Sequence, residues 1–141
     1  MTYCITFYCR SGGSTADQAL DRVVADSRSL GGVQLCAIGR ASGDGWAEVN
    51  LGSTPEYAEF GTVRLELHTA DALVRKMIEP VSIEGMAQRI DDADMVAILT
   101  LSGADVDWSA VRGVWISMTK IWQAIPYDDV SGFDVSIESL G

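Results

Sequence analysis

The chain has 141 residues, of which 20 are acidic and 10 are basic, and its formal charge at pH 7 is −10. Its length and its 48% content of hydrophobic residues suit one folded domain with a buried core and exclude a disordered chain. A negative field of this size repels phosphate backbones and membrane surfaces and attracts basic proteins, so we expect a basic protein partner and no direct binding of nucleic acid or membrane.

The first residues predict a strand inside a sheet. Residues 2–9 alternate aromatic and β-branched side chains on both faces, without the basic start and apolar centre of a leader peptide. The cysteines Cys4, Cys9 and Cys36 form an odd set without Cys-x-x-Cys spacing, which favours reduced, buried thiols. The longest apolar run, residues 95–99, is shorter than the roughly 20 residues that cross a bilayer. These features predict a cytoplasmic protein without a membrane span.

The segment after the first strand has the pattern of an anion-binding loop. It is rich in small residues, and Ser14 with Asp17 three residues later predicts a capping box that opens a helix. Backbone N–H groups at a strand-to-helix turn can hold a phosphate. Locally the segment resembles the phosphate loop of flavodoxins. This resemblance, over about the first 30 residues, implies a flavin phosphate site at Ser11, Gly12, Ser14 and Thr15. The hypothesis of a nucleotide or flavin site in this loop adds Gly13 to these residues, and the alternative is a plain connecting turn.

The next segments predict one helix and three strands. An apolar stripe from Ala16 to Leu30 predicts the helix, which glycines 31 and 32 end. Residues 33–38 and 46–51 predict two strands joined at an Asp-Gly turn. Residues 52–61, with a proline and two glycines, predict a surface connection, and residues 63–68 alternate as a strand with one solvated face does.

Two short helices are predicted before the next strand. Thr69 is the expected cap of the first, which Pro80 ends. Ser82 is the expected cap of the second, whose apolar side comprises Ile83, Met86, Ala87 and Ile90. Residues 95–101 then form a continuous apolar run that predicts a strand buried on both faces.

The last third of the chain predicts the longest helix and a final strand. Trp108, Trp115 and Trp122 recur every seven residues on one apolar stripe, with Asp105 or Asp107 as the cap and Pro126 as the end. Residues 133–137 alternate as a charged edge strand does. The order βαβββααβαβ predicts a single α+β domain over residues 1–141, with a mixed or mainly antiparallel sheet of about six strands and helices packed against it.

No pattern of catalytic or metal-ligating residues stands out. His68 is the single histidine and falls on the polar face of its strand, and no Gly-x-Ser-x-Gly elbow or zinc-ligand spacing occurs. The acidic residues at 91, 92 and 94 lack the glycine turn and distal glutamate of a calcium loop. We therefore predict a protein that is not an enzyme and needs no metal or cofactor.

The surplus acids and the tryptophans suggest a docking surface. Residues 77–141 hold eleven acidic and three basic residues, and an aromatic patch ringed by carboxylates would suit a basic protein. The predicted contact residues are Asp91, Asp92, Asp94, Asp105, Asp107, Trp108, Tyr127, Asp128 and Asp129. The preferred hypothesis is an immunity protein of a bacterial toxin or a phage-type inhibitor such as an anti-CRISPR protein. The alternatives are a small-molecule site at residues 11–15 and a homodimer that buries the tryptophan stripe.

Overall fold

The sheet of this protein is antiparallel at every pairing that the structure describes. The computed structural model describes residues 2–29, 35–81 and 90–140. The strands are β1 (Thr2–Cys9), β2 (Cys36–Gly43), β3 (Trp46–Gly52), β4 (Val63–His68), β5 (Met95–Ser102) and β6 (Ile125–Tyr127), in the spatial order β2-β3-β4-β5-β1-β6. The helices are α1 (Ala16–Ser29), α2 (Pro55–Phe60), α3 (Asp71–Ile78), α4 (Trp108–Trp122) and α5 (Ile137–Leu140). The predicted α+β class with about six strands is confirmed.

One face of the sheet carries the main core, under α1 and α4. The alternation along β4 buries Val63, Leu65 and Leu67 on this face, as its sequence predicts. Phe7 of β1 meets Trp115 of α4 edge to face, with ring centroids 4.9 Å apart. Such a pair contributes about 0.5–1.5 kcal/mol beyond the area it buries. This packing places the first turn of α1 and the last turn of α4 at the same end of the sheet.

The other face carries a smaller core under α3. Tyr8 packs there with Val74 and Ile78, and its hydroxyl donates to the carbonyl of Met77 at 3.1 Å. Burial, with a smaller contribution from Tyr127, raises the pKa of Tyr8 to about 12. The remainder of this face is more polar: Arg64 of β4 pairs with Glu48 and Glu66. The predicted solvated face of β4 is confirmed.

Two helices begin later than the sequence pattern predicts. In α1 the capping box is formed one residue on, by Thr15 and Gln18: the Gln18 N–H donates to Thr15 Oγ1 at 3.2 Å, and the Thr15 N–H donates to Gln18 Oε1 at 3.1 Å. The residue three positions after the cap can be glutamine as well as glutamate, so Thr15 with Gln18 forms the capping box in place of the predicted Ser14 with Asp17. The predicted cap Thr69 instead donates its N–H to the carbonyl of Gly45, and Ala70 precedes α3. The glycines at 31 and 32 and the predicted cap Ser82, with Ile83, Met86 and Ala87, lie outside the described residues.

The last strand is not the predicted one. α4 ends at Trp122, where Gln123 takes a left-handed φ of 52°, and Pro126 lies in β6 rather than ending the helix. Proline fits there because an edge strand leaves one row of N–H groups unused. Residues 133–136 form no strand, although Val135 and Ile137 are buried in the main core and Asp134 is exposed. The alternation therefore reflects which side chains face the core, and the predicted edge strand is wrong.

The three cysteines are free and differ in exposure. Cys9 is buried, Cys36 is half-buried and Cys4 is exposed, so the prediction of buried thiols is wrong for Cys4. Cys4 and Cys9 lie on opposite faces of β1, as their odd spacing requires. Among the described residues, no helix has both the length and the apolar character needed to cross a membrane.

Candidate functional site

The loop between β1 and α1 is occupied by a carboxylate of the protein itself. Asp94 accepts hydrogen bonds from the Ser11 N–H at 2.6 Å, the Ser11 hydroxyl at 3.1 Å and the Gly13 N–H at 3.0 Å. Gly12 and Gly13 have φ values of 76° and 86°, a left-handed backbone that turns successive N–H groups inward. The sequence pattern therefore predicted an anion-holding turn, and the anion that it holds here is Asp94.

A cavity of about 560 Å³ opens beside this loop. We call this end of the sheet, together with the first turns of α1, the loop end; it comprises residues 10–21, 43–45, 69–71 and 91–94. The cavity is lined by Ser14 and Thr15 and by four carboxylates, Asp17, Asp44, Asp71 and Asp94, and none of its described lining residues is basic. The negative charge of these carboxylates repels a phosphate. The backbone N–H groups that could attract a phosphate already donate to Asp94.

Most acids at the loop end have internal cationic partners. Asp17 and Asp21 both pair with Arg40 of β2, and the hydrogen bond from Arg40 lowers the pKa of Asp17 below its usual value. Arg75 lies 3.9 Å from Asp71, its neighbour one helical turn away. A further pair, at 3.6 Å, joins Arg10 to Asp92. The carboxylates at this end are thus largely used in holding segments of the fold together.

The opposite end of the sheet exposes aromatic side chains. We call residues 53–62 and 103–108 the aromatic end. Phe60 at the end of α2 is 66% exposed and Trp108 at the start of α4 is 37% exposed. Asp107 joins the two elements: its carboxylate caps α4 at the Ala110 N–H and accepts the Ser53 N–H at 2.6 Å. Along β5 the two ends are roughly 23 Å apart.

The acids at the aromatic end differ from those at the loop end. Glu56, Glu59 and Asp105 are all exposed, and within the described ranges no basic residue forms an ion pair with any of them. Asp107 is the exception, since it is buried and used as a cap. Three exposed carboxylates therefore lie on the same two segments as the exposed rings.

The predicted contact residues do not form one surface. Asp91, Asp92 and Asp94 lie at the loop end, and Asp105, Asp107 and Trp108 lie at the aromatic end. The buried Asp128 accepts the N–H groups of Val130 and Ser131 and so closes a turn, on which Asp129 is exposed. Tyr127 is half-buried against Phe133, with ring centroids 4.8 Å apart.

The tryptophan stripe belongs mostly to the core. Trp115 and Trp122 are 6% and 1% exposed, so only Trp108 reaches the surface appreciably. A straight helix drifts by about 20° in seven residues, so residues at this spacing do not all face the core equally. The homodimer hypothesis consequently loses the continuous indole surface on which it was based.

Sequence analysis missed α2, which supplies part of the aromatic end. Residues 52–61 were predicted as a surface connection, yet Pro55–Phe60 is helical. Thr54 accepts the Tyr57 N–H at 3.2 Å as the cap, Pro55 occupies the first turn, and Gly61 ends the helix with a φ of 67°. Threonine-proline at the start and glycine at the end are recognisable helix signals, but the six residues between them are too few to show a periodicity.

The polar groups associated with catalysis are dispersed. Burial raises the pKa of the Cys9 thiol well above its usual value, which disfavours the thiolate that nucleophilic chemistry requires. His68 is half-buried on β4, opposite Trp46 and Val96. Within the described ranges, no group of three His, Cys, Asp or Glu side chains is placed to hold a metal ion.

The two features that bear on function are the loop at Ser11, which holds Asp94, and the exposed rings of the aromatic end. At neither end do the described residues form a recognisable catalytic or metal-binding arrangement. Comparison with protein-family models, curated proteins and solved structures gives no significant match for this chain.

Proposed function

We propose that this protein binds a basic protein and neutralises it, as an immunity protein of a bacterial toxin or a phage-type inhibitor such as an anti-CRISPR protein does. The observation that carries the proposal is the carboxylate surplus that internal pairing leaves over. The basic residues Arg10, Arg40, Arg64, Arg75 and Lys120 each already pair with an acid. With 20 acids and 10 bases in the chain, ten negative charges have no possible internal counterpart.

Surplus charge of one sign has a physical consequence for binding. It destabilises the isolated fold by self-repulsion and speeds the association with a protein of opposite sign. A toxin or nucleic-acid-binding effector has a cationic cleft for its substrate, and an acidic protein that covers the cleft would block that substrate. The interaction should weaken as salt screens the long-range part of the attraction.

The proposal is tested by recovery of the partner at two ionic strengths. The tagged protein is purified from its native host at low and at high salt, and the retained proteins are identified by mass spectrometry. Each candidate is then purified and titrated calorimetrically against the untagged chain. We expect a partner with a net positive charge, an affinity that falls with salt, and an activity that the bound chain inhibits. A partner of neutral or negative charge, or one whose activity is unaffected, would contradict the proposal.

The cavity at the loop end supports a second candidate function, a small-molecule site. Its volume of about 560 Å³ is sufficient for a ligand of nucleotide size. Its four carboxylates, together with the bond between Asp94 and the loop, disfavour a nucleotide or flavin phosphate. Thermal melting with flavins and nucleotides tests this candidate, because a ligand at about 100 times its Kd would stabilise the fold by about 2.7 kcal/mol. An unchanged melting temperature would remove it.

A further inference from the structure

The aromatic end presents its rings on a fixed platform. Phe60 packs edge to face against Tyr57, with ring centroids 6.3 Å apart, and still remains 66% exposed. α2 lies directly on the end of β3: a Cβ added to Gly52 would lie 2.3 Å from the backbone nitrogen of Ala58. Because the backbones of α2 and β3 are already this close, α2 cannot move nearer to the sheet and bury the ring of Phe60.

A second connection fixes the position of Trp108. The buried carboxylate of Asp107, which is 5% exposed, accepts both the N–H and the hydroxyl of Ser53 while it caps α4. The turn before α2 and the first turn of α4 are therefore held together. A surface that is already ordered loses less conformational entropy on binding, which favours affinity.

Charge identifies the kind of occupant. Glu56, Glu59 and Asp105 are exposed on the same segments as the rings, and the sequence contains no lysine or arginine from residue 41 to residue 63 or from residue 90 to residue 111. A second copy of this chain would bring the same carboxylates face to face, and like charges at an interface oppose association. A segment whose lysine or arginine side chains flank an apolar residue matches both the rings and the carboxylates.

We propose that residues 53–62 and 103–108 form the docking surface for a cationic and apolar segment of the basic partner, an inference that rests on the proposed function. Phe60 and Trp108 supply the apolar contact. Glu56, Glu59 and Asp105 face the flanking cations. The loop end is left out of the contact, since most of its acids are already engaged by Arg10, Arg40, Arg75 and the loop itself.

The experiment maps binding with synthetic peptides of about a dozen residues. One set combines arginine with leucine and phenylalanine; a second replaces arginine with glutamate, and a third replaces the apolar residues with serine. Each peptide is titrated into the isotope-labelled chain and followed by amide chemical shifts. We expect only the first set to bind, with shifts concentrated in residues 53–62 and 103–108.

Two classes of variant test the surface separately from folding. Phe60→Ser removes an exposed ring, and Glu59→Lys with Asp105→Lys reverses charge without touching a described packing contact. Each should weaken binding of the first peptide set roughly 30-fold, the effect typical of a central contact residue. Asp44→Lys with Asp71→Lys at the loop end changes the net charge by the same amount; it is the matched control and should leave the affinity unchanged. Melting curves must show that all variants remain folded.

The outcomes separate this inference from the proposed function. Shifts at the loop end, with affinity lost only in the Asp44 and Asp71 variants, would overturn the docking surface and leave a basic partner possible. Equal binding by the serine-substituted set would also overturn it, since the rings would then contribute nothing. Absence of binding by every cationic peptide, combined with no basic partner recovered from the host, would remove both proposals.

Discussion

The loop end and the aromatic end each carry several carboxylates, but these carboxylates have different surroundings. At the loop end, Asp94 fills a turn of backbone N–H groups and Asp17 is paired with Arg40. At the aromatic end, Glu56, Glu59 and Asp105 face solvent beside exposed rings. A carboxylate that is satisfied internally stabilises the fold and has less capacity for a partner, whereas a solvated one can attract a cation. Net charge alone therefore does not locate an interface.

The largest effect on stability should come from Asp107, the single acid of the aromatic end with a structural role among the described residues. Asp107→Ala removes the cap of α4 and leaves the partly buried N–H of Ser53 without its acceptor. We expect the free energy of unfolding to fall by about 3 kcal/mol. Urea unfolding measures the change, and Asp105→Ala, two residues away, is the matched control. Equal losses in the two variants would contradict the distinction between structural and solvated acids.

The next effect concerns Asp94. Asp94→Ala removes the acceptor of three hydrogen bonds from Ser11 and Gly13, and we expect a loss of about 2 kcal/mol. The emptied turn should then accept an external anion. Inorganic phosphate should therefore raise the melting temperature of Asp94→Ala more than that of the unsubstituted protein. A phosphate effect of the same size in both proteins would show that the loop does not hold its own anion.

A smaller effect is expected from the connection between α1 and α4. Asp26 accepts the Ser117 hydroxyl at 2.5 Å and lies 3.0 Å from Lys120, and these groups, Ser117 first, lower the pKa of Asp26. A lowered folded-state pKa stabilises the protein above the unfolded value of about 3.9, and this contribution is lost as pH falls through the folded value. Asp26→Asn should cost about 1 kcal/mol at neutral pH. The difference from the unsubstituted protein should shrink below about pH 4, and a constant difference would contradict this assignment.

The smallest effects on stability should be those at the proposed docking residues. Glu59→Gln should change the free energy of unfolding by less than about 0.5 kcal/mol, and Phe60→Ser, which also removes the exposed edge-to-face contact with Tyr57, by about 0.5 kcal/mol. Chemical unfolding of the two variants beside Asp107→Ala checks this order. A large loss for Phe60→Ser would mean that the ring supports the fold and would weaken its role as a contact for a partner.

Periodicity predicted the elements that are long enough to show it. The alternation of residues 63–68 predicted both ends of β4 correctly. The apolar stripe with its two candidate caps, Asp105 and Asp107, placed the start of α4 to within two residues, and Asp107 is the cap. The six-residue α2 was not predicted, and Ser14 was predicted as the cap of α1 where Thr15 is the cap. Both features depend on only a few residues, which are too few to show a periodicity. Near the C-terminus, the predicted edge strand is wrong: Val135 and Ile137 are buried in the main core, but no neighbouring strand pairs with them.

For the candidate site, the sequence predicted the kinds of residue, acids and an aromatic ring, better than it predicted where on the fold they lie. Sequence analysis selected Asp105 and Trp108, which the aromatic end contains, and missed Phe60, Glu56 and Glu59. It also grouped the acids at 91–94 with those at 105–107, although β5 separates them. Proximity along the chain was a poor guide because an extended strand carries consecutive residues to opposite ends of a sheet.

By itself the sequence determined the excess of negative charge, the alternation that builds the sheet and the apolar stripes that cover it. These are properties of composition and of local periodicity, and they do not depend on which segments meet. The tertiary structure alone decided that Asp94 would fill the turn at Ser11 and that Asp107 would hold Ser53. Those contacts join residues more than 50 positions apart, and a hydrogen bond between distant segments leaves no periodic signature in either of them.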